Sequence, residues 1–419
     1  MGQLDVLREP RYRRLLLGRT ASLVGDGIAP VAIAFAVLDL AGSATDLGVV
    51  LAAHALMITA LVLVGGVVAD RVSPRLAMLG ADLTRAASTG VLAALLISGA
   101  AQIWQLALLY AVDGAATAFF NPASDAIVPQ LVPRTRLRQA NALLNLSRSL
   151  GKVLGPALAG VLLALGSPGA ALAVDAATFA LSAACLLVIH APAARRAEQA
   201  APFVSEMRQG WREFSARTWL WAIVLSAAIC NAVYFPVMQV LGPAVAKSSL
   251  GGSSAWALIM TSLGIGSILG GLVALNIRPR HPLRVGEGSV VLIVLPVAFL
   301  ALPATTAVIA CGALLAGAVG SLAQVLYETV WVQHVPSASL SRVASYDWFG
   351  SLALEPLGLA LIGPLAAGVG TSTTLWLAAA AMAACCAGAI SVPSVRNLGW
   401  APQRGPQPQP LVRPVEAGD

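Results

Sequence analysis

The segment Gly65-Gly-Val-Val-Ala-Asp-Arg-Val-Ser-Pro-Arg75 recurs 205 positions later as Gly270-Gly-Leu-Val-Ala-Leu-Asn-Ile-Arg-Pro-Arg280, with six identical residues. Two further pairs of segments keep nearly the same offset: Gln130–Pro133 with Gln333–Pro336, and Gly155–Gly160 with Gly363–Gly368. A duplication predicts such a constant offset, whereas chance matches in a chain rich in alanine and glycine do not. The sequence therefore consists of two related halves.

The composition is that of a membrane protein. Of the 419 residues, 58% are hydrophobic and only 11% are charged, whereas a soluble domain carries about 25% charge. A membrane-spanning helix needs about 20 mostly apolar residues. Twelve such stretches are present, at about 16–40, 46–69, 76–98, 101–121, 139–165, 169–191, 219–245, 254–276, 284–302, 305–330, 342–368 and 371–392. The fold class predicted is all-α, with twelve transmembrane spans.

The spans divide the chain into four regions. They are 1–191 as a first six-helix bundle, 192–218 as a linker, 219–392 as a second six-helix bundle, and 393–419 as a tail. Within the linker, apolar side chains recur at helical spacing from Phe203 to Phe214, which predicts an amphipathic helix on the membrane surface. The tail is rich in proline and is predicted to be disordered.

The basic residues predict the orientation of the chain. With twelve spans both termini lie on one side, and nearly all arginines fall on that side, whereas the opposite loops contain one basic residue, Lys247. Because lysine and arginine accumulate in cytoplasmic loops, both termini are expected to be cytoplasmic, in the cell membrane. The net charge of +7 then needs no nucleic acid to explain it. The expected partners are the lipid bilayer and a small-molecule substrate, and a monomer is expected.

Several functions lack the residues that they would need. Gly151-Lys152 is followed by Val153, so no phosphate-binding Gly-x-x-x-x-Gly-Lys-Ser/Thr loop of a nucleotide-driven pump exists. The four histidines are scattered without a His-Glu-x-x-His pair, which argues against an intramembrane metalloenzyme. We therefore expect a protein that is not an enzyme, holds no metal or other cofactor, and depends on an ion gradient.

Six plus six spans, a linker and the Gly-Gly-x-x-Ala-Asp-Arg-x-x-x-Arg loop resemble the major facilitator superfamily of secondary transporters, over about residues 10–392. The run Gly151-Lys-Val-Leu-Gly-Pro-Ala-Leu-Ala-Gly160 is similar to the pattern of the family's drug:proton antiporters, with Ala159 where a second glycine is usual. Asp82-Leu-Thr-Arg85 and Pro129-Gln-Leu-Val-Pro133 resemble the twelve-span branch that includes enterobactin exporters and macrolide efflux pumps.

The resemblance implies two pseudo-symmetric bundles that rock about a central site and export an amphipathic molecule, such as a drug or a siderophore, in exchange for protons. Uptake by proton symport and a non-transporting receptor of the same fold stay open as alternatives. The resemblance also implies a conformational latch at Asp70, and the second copy has Leu275 at that position. The predicted latch comprises Gly66, Asp70, Arg71, Arg75 and Asp125, with Asp125 as the partner of Arg75.

The glycines and the proline of span 5 also have a purely physical interpretation. Gly151 and Gly155, like Gly65 and Gly66 of span 2, let helix backbones approach closely, which is how helices associate in lipid. Pro156 removes a backbone donor and bends the helix. These residues either serve packing alone or form an interface that opens and closes.

Ionisable residues within the spans are the candidates for proton coupling. Each costs about 2.5–3.5 kcal/mol at mid-bilayer and is expected to face protein or a water-filled cavity. Asp26, Asp113 and Glu355 fall near the midplane, and each is either a proton carrier or a buried ion-pair partner. Asp82 and Arg85 are three residues apart on one predicted helix and are expected to neutralise each other.

Span 5 carries a polar stripe, formed by Asn141, Asn145, Arg148 and Lys152 at positions i, i+4, i+7 and i+11. Two interpretations are open. Either Arg148 and Lys152 pair with Asp26 or Asp113, or they line a central cavity and meet an anionic group of the substrate. Phe35, Tyr234 and Tyr327 are the candidates for its apolar wall.

Overall fold

The computed structural model describes residues 5–71, 73–189, 203–302, 304–336 and 339–400, without the side chains of 63–71, 134, 203–207 and 340–342. Within those residues, twelve helices are long and apolar enough to cross a membrane, which confirms the predicted number of spans. No strand is present in the described ranges.

The spans follow one another in two sets of six. Spans 1 to 6 are Pro10–Ala41, Ala44–Arg71, Pro74–Ile97, Ile103–Leu131, Leu137–Leu165 and Pro168–Val188. Spans 7 to 12 are Thr218–Leu250, Ser253–Asn276, Pro282–Ala301, Thr306–His334, Leu340–Val369 with a break after Leu352, and Thr371–Ser391.

Several helices extend beyond the hydrophobic stretches that revealed them. Span 1 begins at Pro10, before the arginine-rich segment Arg11–Arg14, and span 4 continues to Leu131. Hydropathy detects only the part of a helix that suits hydrocarbon, whereas backbone hydrogen bonding continues until a cap or a breaker. Proline at the first turn begins spans 1, 3, 6 and 9, where its missing N–H would be unpaired in any case.

The molecule has two membrane faces, which we name by the chain. The terminal face is the one at which span 1 begins and span 12 ends, and the opposite face lies at the other end of the spans. Near the opposite face both bundles share one core, in which Val37, Leu47, Leu241, Trp256 and Leu359 are all buried. There the two halves pack as a single body.

Near the terminal face each bundle has a core of its own. Tyr12 and Phe120 belong to a core built only from the first bundle. Trp219 and Val330 belong to another, built only from the second bundle and the segments beside it. The bundles therefore meet at the opposite face and diverge towards the terminal face, and we call the region between them there the cleft.

Contacts across the two bundles run mainly between spans 5 and 8 and between spans 2 and 11. A methyl group on Gly160 would lie 2.5 Å from Cβ of Ala257 in span 8, and one on Gly363 would lie 2.5 Å from Cα of Thr45 in span 2. In each of these two pairs of spans the backbones lie almost in contact, because small residues permit the closest approach of helices in lipid.

The linker contains the predicted helix, at Phe203–Ser215. Its Trp211 ring lies 5.5 Å from that of Tyr346 in span 11, and the Phe214 ring lies 6.0 Å from the same tyrosine. The helix is therefore attached to the second bundle. The side chains of Phe203 and Met207 lie outside the described set.

The prediction of disorder from residue 393 onwards is wrong for the first part of the tail. Pro393–Arg396 form a helical turn, and Val395 is fully buried in the core of the second bundle. Trp400 donates a hydrogen bond of 2.7 Å to the carbonyl oxygen of Pro279. Apolar side chains anchor this segment despite its prolines, and residues 401–419 lie outside the described part of the chain.

Candidate transport site

Arg85 is the centre of an ion network inside the first bundle. Its Nη2 lies 2.5 Å from Oδ1 of Asp26 in span 1, and its Nε donates to Oδ1 of Asp113 in span 4 at 3.0 Å. The guanidinium also stacks over the ring of Phe179 in span 6, at 3.9 Å from the ring centre. One cation thereby joins four spans, and two carboxylates and an aromatic face offset the cost of burying it.

The network continues to span 2 through a histidine. Nε2 of His54 lies 3.2 Å from the second carboxylate oxygen of Asp113. The His54 ring stacks on Tyr110 with 4.1 Å between ring centres. Both oxygens of Asp113 are therefore engaged, and this aspartate is well placed to hold Arg85 in position.

Asp82 does not neutralise Arg85, so that expectation is wrong. Arg85 points to Asp26 and Asp113 instead, because these carboxylates on neighbouring spans offer a fork geometry that an aspartate on its own helix does not. Asp82 is fully buried, and neither of its carboxylate oxygens has a hydrogen-bond partner among the described residues. Arg19, also buried, stacks over Phe120 at 4.5 Å.

The polar stripe of span 5 is exposed along its whole length, at Asn141, Asn145, Arg148 and Lys152. A helix face with an arginine and a lysine does not point into hydrocarbon, so the stripe lines the cleft between the bundles. The alternative pairing of Arg148 or Lys152 with Asp26 or Asp113 is wrong, since Arg85 takes both aspartates.

Arg148 instead pairs with the aspartate that was assigned to the latch. Its Nη2 donates to Oδ1 of Asp125 in span 4 at 3.1 Å, and its Nη1 donates to Asn145 at 3.2 Å. Arg75 donates to the carbonyl oxygens of Leu186 and Leu187, each at 2.8 Å. The predicted Arg75–Asp125 pair is therefore wrong, because Arg75 caps the end of span 6.

The rest of the predicted latch is only partly visible. Span 2 continues as a helix to Arg71, so Gly66, Asp70 and Arg71 occupy its last turns. Their side chains lie outside the described set, and their roles remain predictions.

The antiporter-type motif packs span 5 on span 1. A methyl group on Gly155 would lie 2.5 Å from Cα of Gly27, and one on Gly151 would lie 2.5 Å from the carbonyl oxygen of Leu23. Pro156 is buried beside this crossing. Gly160, one turn further, lies against span 8 of the other bundle, so a single motif serves both a contact within its bundle and a contact between bundles.

The aromatic candidates occupy different surroundings. Phe35 is only 4% exposed and belongs to the shared core near the opposite face. Tyr234 is half-buried at the edge of that core. Tyr327 donates a short hydrogen bond to Asp347, between spans 10 and 11. Tyr327 packs on the core of the second bundle near the terminal face, whereas Phe35 is buried in the shared core near the opposite face.

Glu355 begins the second part of span 11, after the break that follows Leu352. It is half-buried and lies within hydrogen-bonding range of Gln239 in span 7. No salt bridge reaches it from any described residue. No salt bridge or hydrogen bond among the described residues therefore links it to the Arg85 network.

Three polar residues of the structure had no role in the sequence predictions. His54 was discounted as one of four scattered histidines, although its place within an apolar stretch was a signal. Asp175 also lies inside a predicted span, where the cost of an isolated charge applies equally. Lys247 stood out only as the single basic residue of the opposite loops, and no spacing in the sequence pointed to its partner.

That partner is Asp39, at the end of span 1. Nζ of Lys247 lies 2.7 Å from Oδ1 of Asp39 and 2.6 Å from the carbonyl oxygen of Leu38. Among the salt bridges of the described residues, this one alone joins the two bundles. It closes the opposite face beside the shared core.

Comparison with known proteins decides the family. The model of the Major Facilitator Superfamily matches residues 15–353. The chain belongs to this superfamily. As a member, it is a multi-pass membrane transporter and not an enzyme, and the resemblance of the doubled loop and the span-5 motif is confirmed at this level.

Among its superfamily relatives are efflux proteins. The multidrug efflux pump Tap of Mycobacterium tuberculosis is 27% identical over 411 residues, which cover 93% of this chain and 95% of Tap. Macrolide efflux protein A of Streptococcus pyogenes is 25% identical over 266 residues, or 63% of this chain. The match spans 65% of the length of that Streptococcus protein.

Solved superfamily structures share the fold. The nucleoside transporter NupG matches with a TM-score of 0.75 and 12% identity, over 91% of this chain and 98% of NupG. A bacterial homologue of the human lysosomal transporter Spinster matches with a TM-score of 0.74 and 16% identity, over 94% and 98% of the two chains. These likenesses show the twelve-span, two-bundle architecture.

Proposed function

We propose that this protein is a secondary active exporter of amphipathic small molecules, driven by exchange for protons. The observation that carries the proposal is the cleft with its exposed polar stripe beside a buried ion network, in a chain related to Tap along almost its whole length. The names of the relatives, multidrug and macrolide efflux proteins, support export and a bulky, partly apolar substrate.

In the proposed orientation the terminal face is cytoplasmic, as the distribution of arginines favours. The cleft then opens to the cytoplasm, and the shared core with the Lys247–Asp39 pair closes the outside. A substrate would enter the cleft from the cytoplasm or from the inner leaflet. Rocking of one bundle against the other would expose it to the outside, as paired repeats allow.

The walls of the cleft suit a molecule with both apolar and charged groups. Asn145, Arg148 and Lys152 offer donors and positive charge from the first bundle, and Lys152 has no salt bridge to a described residue. Tyr327 and the exposed Glu328 offer an aromatic face and an acceptor from the second bundle. An anionic group is proposed to bind at the span-5 stripe and a basic group opposite it.

Proton exchange is proposed to act on Asp26, with Glu355 as the second candidate. Asp26 contacts both solvent and the buried ion network, because its side chain is 31% exposed and also pairs with the buried Arg85. A proton on Asp26 would remove one of the two carboxylates that hold Arg85, and so loosen span 1 from span 3. Asp113, held on both oxygens, is proposed to anchor Arg85 rather than to carry the proton.

Transport in inverted membrane vesicles tests this proposal. Radiolabelled erythromycin, a macrolide, should accumulate in vesicles that contain the protein when their interior is acidic, and an ionophore that collapses the gradient should abolish the accumulation. Vesicles without the protein correct for passive trapping of a weak base. Asp26→Asn should lose gradient-driven accumulation, with Glu355→Gln measured beside it.

Each other outcome has a definite meaning. Accumulation that ignores the gradient would reject proton coupling. Uptake that requires an alkaline interior would replace antiport by symport. If Asp26→Asn and Glu355→Gln both retain full gradient-driven transport, neither residue is the carrier.

A further inference from the structure

Asp175 in span 6 is buried among charges and is not used by any contact described above. It is 1% exposed, and its Oδ1 has no hydrogen-bond partner among the described residues. No cation lies within salt-bridge distance of it in the described part of the chain. An ionised carboxylate in such a place would carry its desolvation cost with no compensating pair.

The charged groups that face Asp175 come from three other spans. They are Asp26 of span 1, Arg85 of span 3 and Asp113 of span 4, while Thr178 lies beside it on span 6. Three carboxyl groups therefore surround a single guanidinium, and the two that Arg85 contacts are Asp26 and Asp113. Asp26 and Asp113 already exceed the charge of Arg85 by one negative charge, and an ionised Asp175 would add a second, so a neutral carboxylic acid at Asp175 is favoured.

The packing of span 1 brings Asp175 next to Asp26. Gly25 has no side chain, and any methyl group placed on it would overlap Oδ1 of Asp175 and the hydroxyl of Thr178. The carboxyl group thus rests directly on the backbone one residue before Asp26. A cavity of about 10 Å³ lies between Asp113 and Asp175, lined also by Thr89 and Tyr110. That volume is about what one water molecule needs.

We propose that Asp175 is the internal store of the exchanged proton, a role that rests on the proposed antiport for its use in transport. The proton leaves the carboxylic acid of Asp175 and binds the carboxylate of Asp26, so that Asp175 becomes the carboxylate and Asp26 the acid. Arg85 then loses its partner on span 1 and gains a negative group on span 6. The attraction between Arg85 and span 1 weakens, and the partly exposed Asp26 can release the proton to water.

Asp82 provides the matched control. It is as deeply buried as Asp175 and likewise has no salt bridge to a described residue, but it lies on the helix of Arg85, three residues nearer the terminal face. It does not line the cavity beside Asp113. A loss of coupling caused merely by removing any buried carboxyl group would appear in both Asp82→Asn and Asp175→Asn.

Infrared spectroscopy of the purified full-length protein tests the store without any substrate. The carbonyl stretch of a protonated carboxylic acid is separate from the bands of carboxylates and amides. At neutral pH the wild-type spectrum should contain such a band that Asp175→Asn removes. Asparagine is neutral and nearly isosteric with the acid, so thermal unfolding should be unchanged. An unaltered band would overturn the proposal.

Transport measurements distinguish the proposed role of Asp175 from the broader proposal of export by proton antiport. With erythromycin as the probe, Asp175→Asn should retain exchange of labelled for unlabelled erythromycin and lose accumulation driven by the pH gradient, while Asp82→Asn keeps both. Gradient-driven accumulation in Asp175→Asn, or its loss in both variants, would overturn the role of Asp175. If wild-type transport itself ignores the gradient, the antiport proposal fails, and the infrared band still decides whether Asp175 holds a proton.

Discussion

The two bundles have the same order of spans, yet they differ in what they bury. Every charged residue that is buried among the described residues lies in the first bundle: Arg19, Asp82, Arg85, Asp113 and Asp175. The buried polar residues described in the second bundle are Ser226, Ser339 and Thr374. Among the described residues, the first bundle thus buries ionisable side chains, whereas the second buries only neutral polar ones.

The repeated Gly-Pro segment shows the same divergence at the level of single residues. Gly155 packs span 5 on span 1 of its own bundle, whereas its copy Gly363 packs span 11 on span 2 of the other bundle. Gly160 contacts span 8, whereas nothing lies within 4 Å of the position that a methyl group would take on its copy, Gly368. Duplication preserved the sequence pattern, and each copy then acquired its own contact.

The largest expected effect comes from breaking the charged centre of the first bundle. Arg85→Leu leaves Asp26 and Asp113 without their cation and should destabilise the protein by about 3–5 kcal/mol. Asn231→Leu removes the 3.0 Å hydrogen bond from Asn231 to the carbonyl oxygen of Ser351 in the second bundle, and should cost only about 0.6 kcal/mol. Unfolding of both variants in a denaturing detergent measures the difference. Equal losses of unfolding free energy in the two variants would mean that polar contacts stabilise the interiors of the two bundles to the same extent.

A smaller effect is expected from adding one methyl group to the repeated glycines. Gly155→Ala places Cβ at 2.5 Å from Cα of Gly27, and such overpacking should cost about 1–3 kcal/mol. Gly368→Ala meets open space, and it should be neutral or stabilise span 11 by up to about 1 kcal/mol through helix propensity. Thermal unfolding of the two variants compares them directly. Destabilisation by Gly368→Ala would contradict the assignment of different contacts to the two copies.

The smallest effect concerns the ion pair that joins the bundles. Lys247→Ala removes the contact with Asp39, and a partly exposed pair contributes about 0–1 kcal/mol. This change is enough to shift the balance of closed and open forms by up to about fivefold, since 1.4 kcal/mol corresponds to tenfold. Distances between spin labels on spans 1 and 7 at the opposite face report that shift.

Two further variants complete the measurement at the opposite face. Exchanging the charges, with Lys247→Asp and Asp39→Lys together, should restore the wild-type distances. Arg136→Ala is the matched control, because the Arg136–Glu9 pair lies within the first bundle. If Arg136→Ala changes the distances between the spin labels as much as Lys247→Ala does, the Lys247–Asp39 pair has no special role in closing the opposite face.

The sequence was sufficient for the architecture because the responsible signals are local or repeated. Apolar stretches mark spans one at a time, and the offset between Gly65 and Gly270 reveals the duplication. Ion pairing was different, since the partner of each charge lies on another span. Arg85 was paired with its helical neighbour Asp82, and Arg75 with Asp125, because spacing along one chain does not say which faces of two helices meet. Asp175 was not among the sequence predictions at all, since hydropathy does not show what surrounds a carboxylate within a span.

The network around Arg85 also bears on how the protein is made. Spans enter the membrane in the order of the chain, so Arg85 on span 3 follows Asp26 on span 1 and precedes Asp113 on span 4. An unpaired charge within the bilayer costs about 2.5–3.5 kcal/mol. Both carboxylate partners of Arg85 are present only after span 4 has entered the membrane. We therefore expect spans 1 to 4 to leave the insertion machinery together, whereas the spans of the second bundle, free of such buried pairs in the described part of the chain, need not wait for one another.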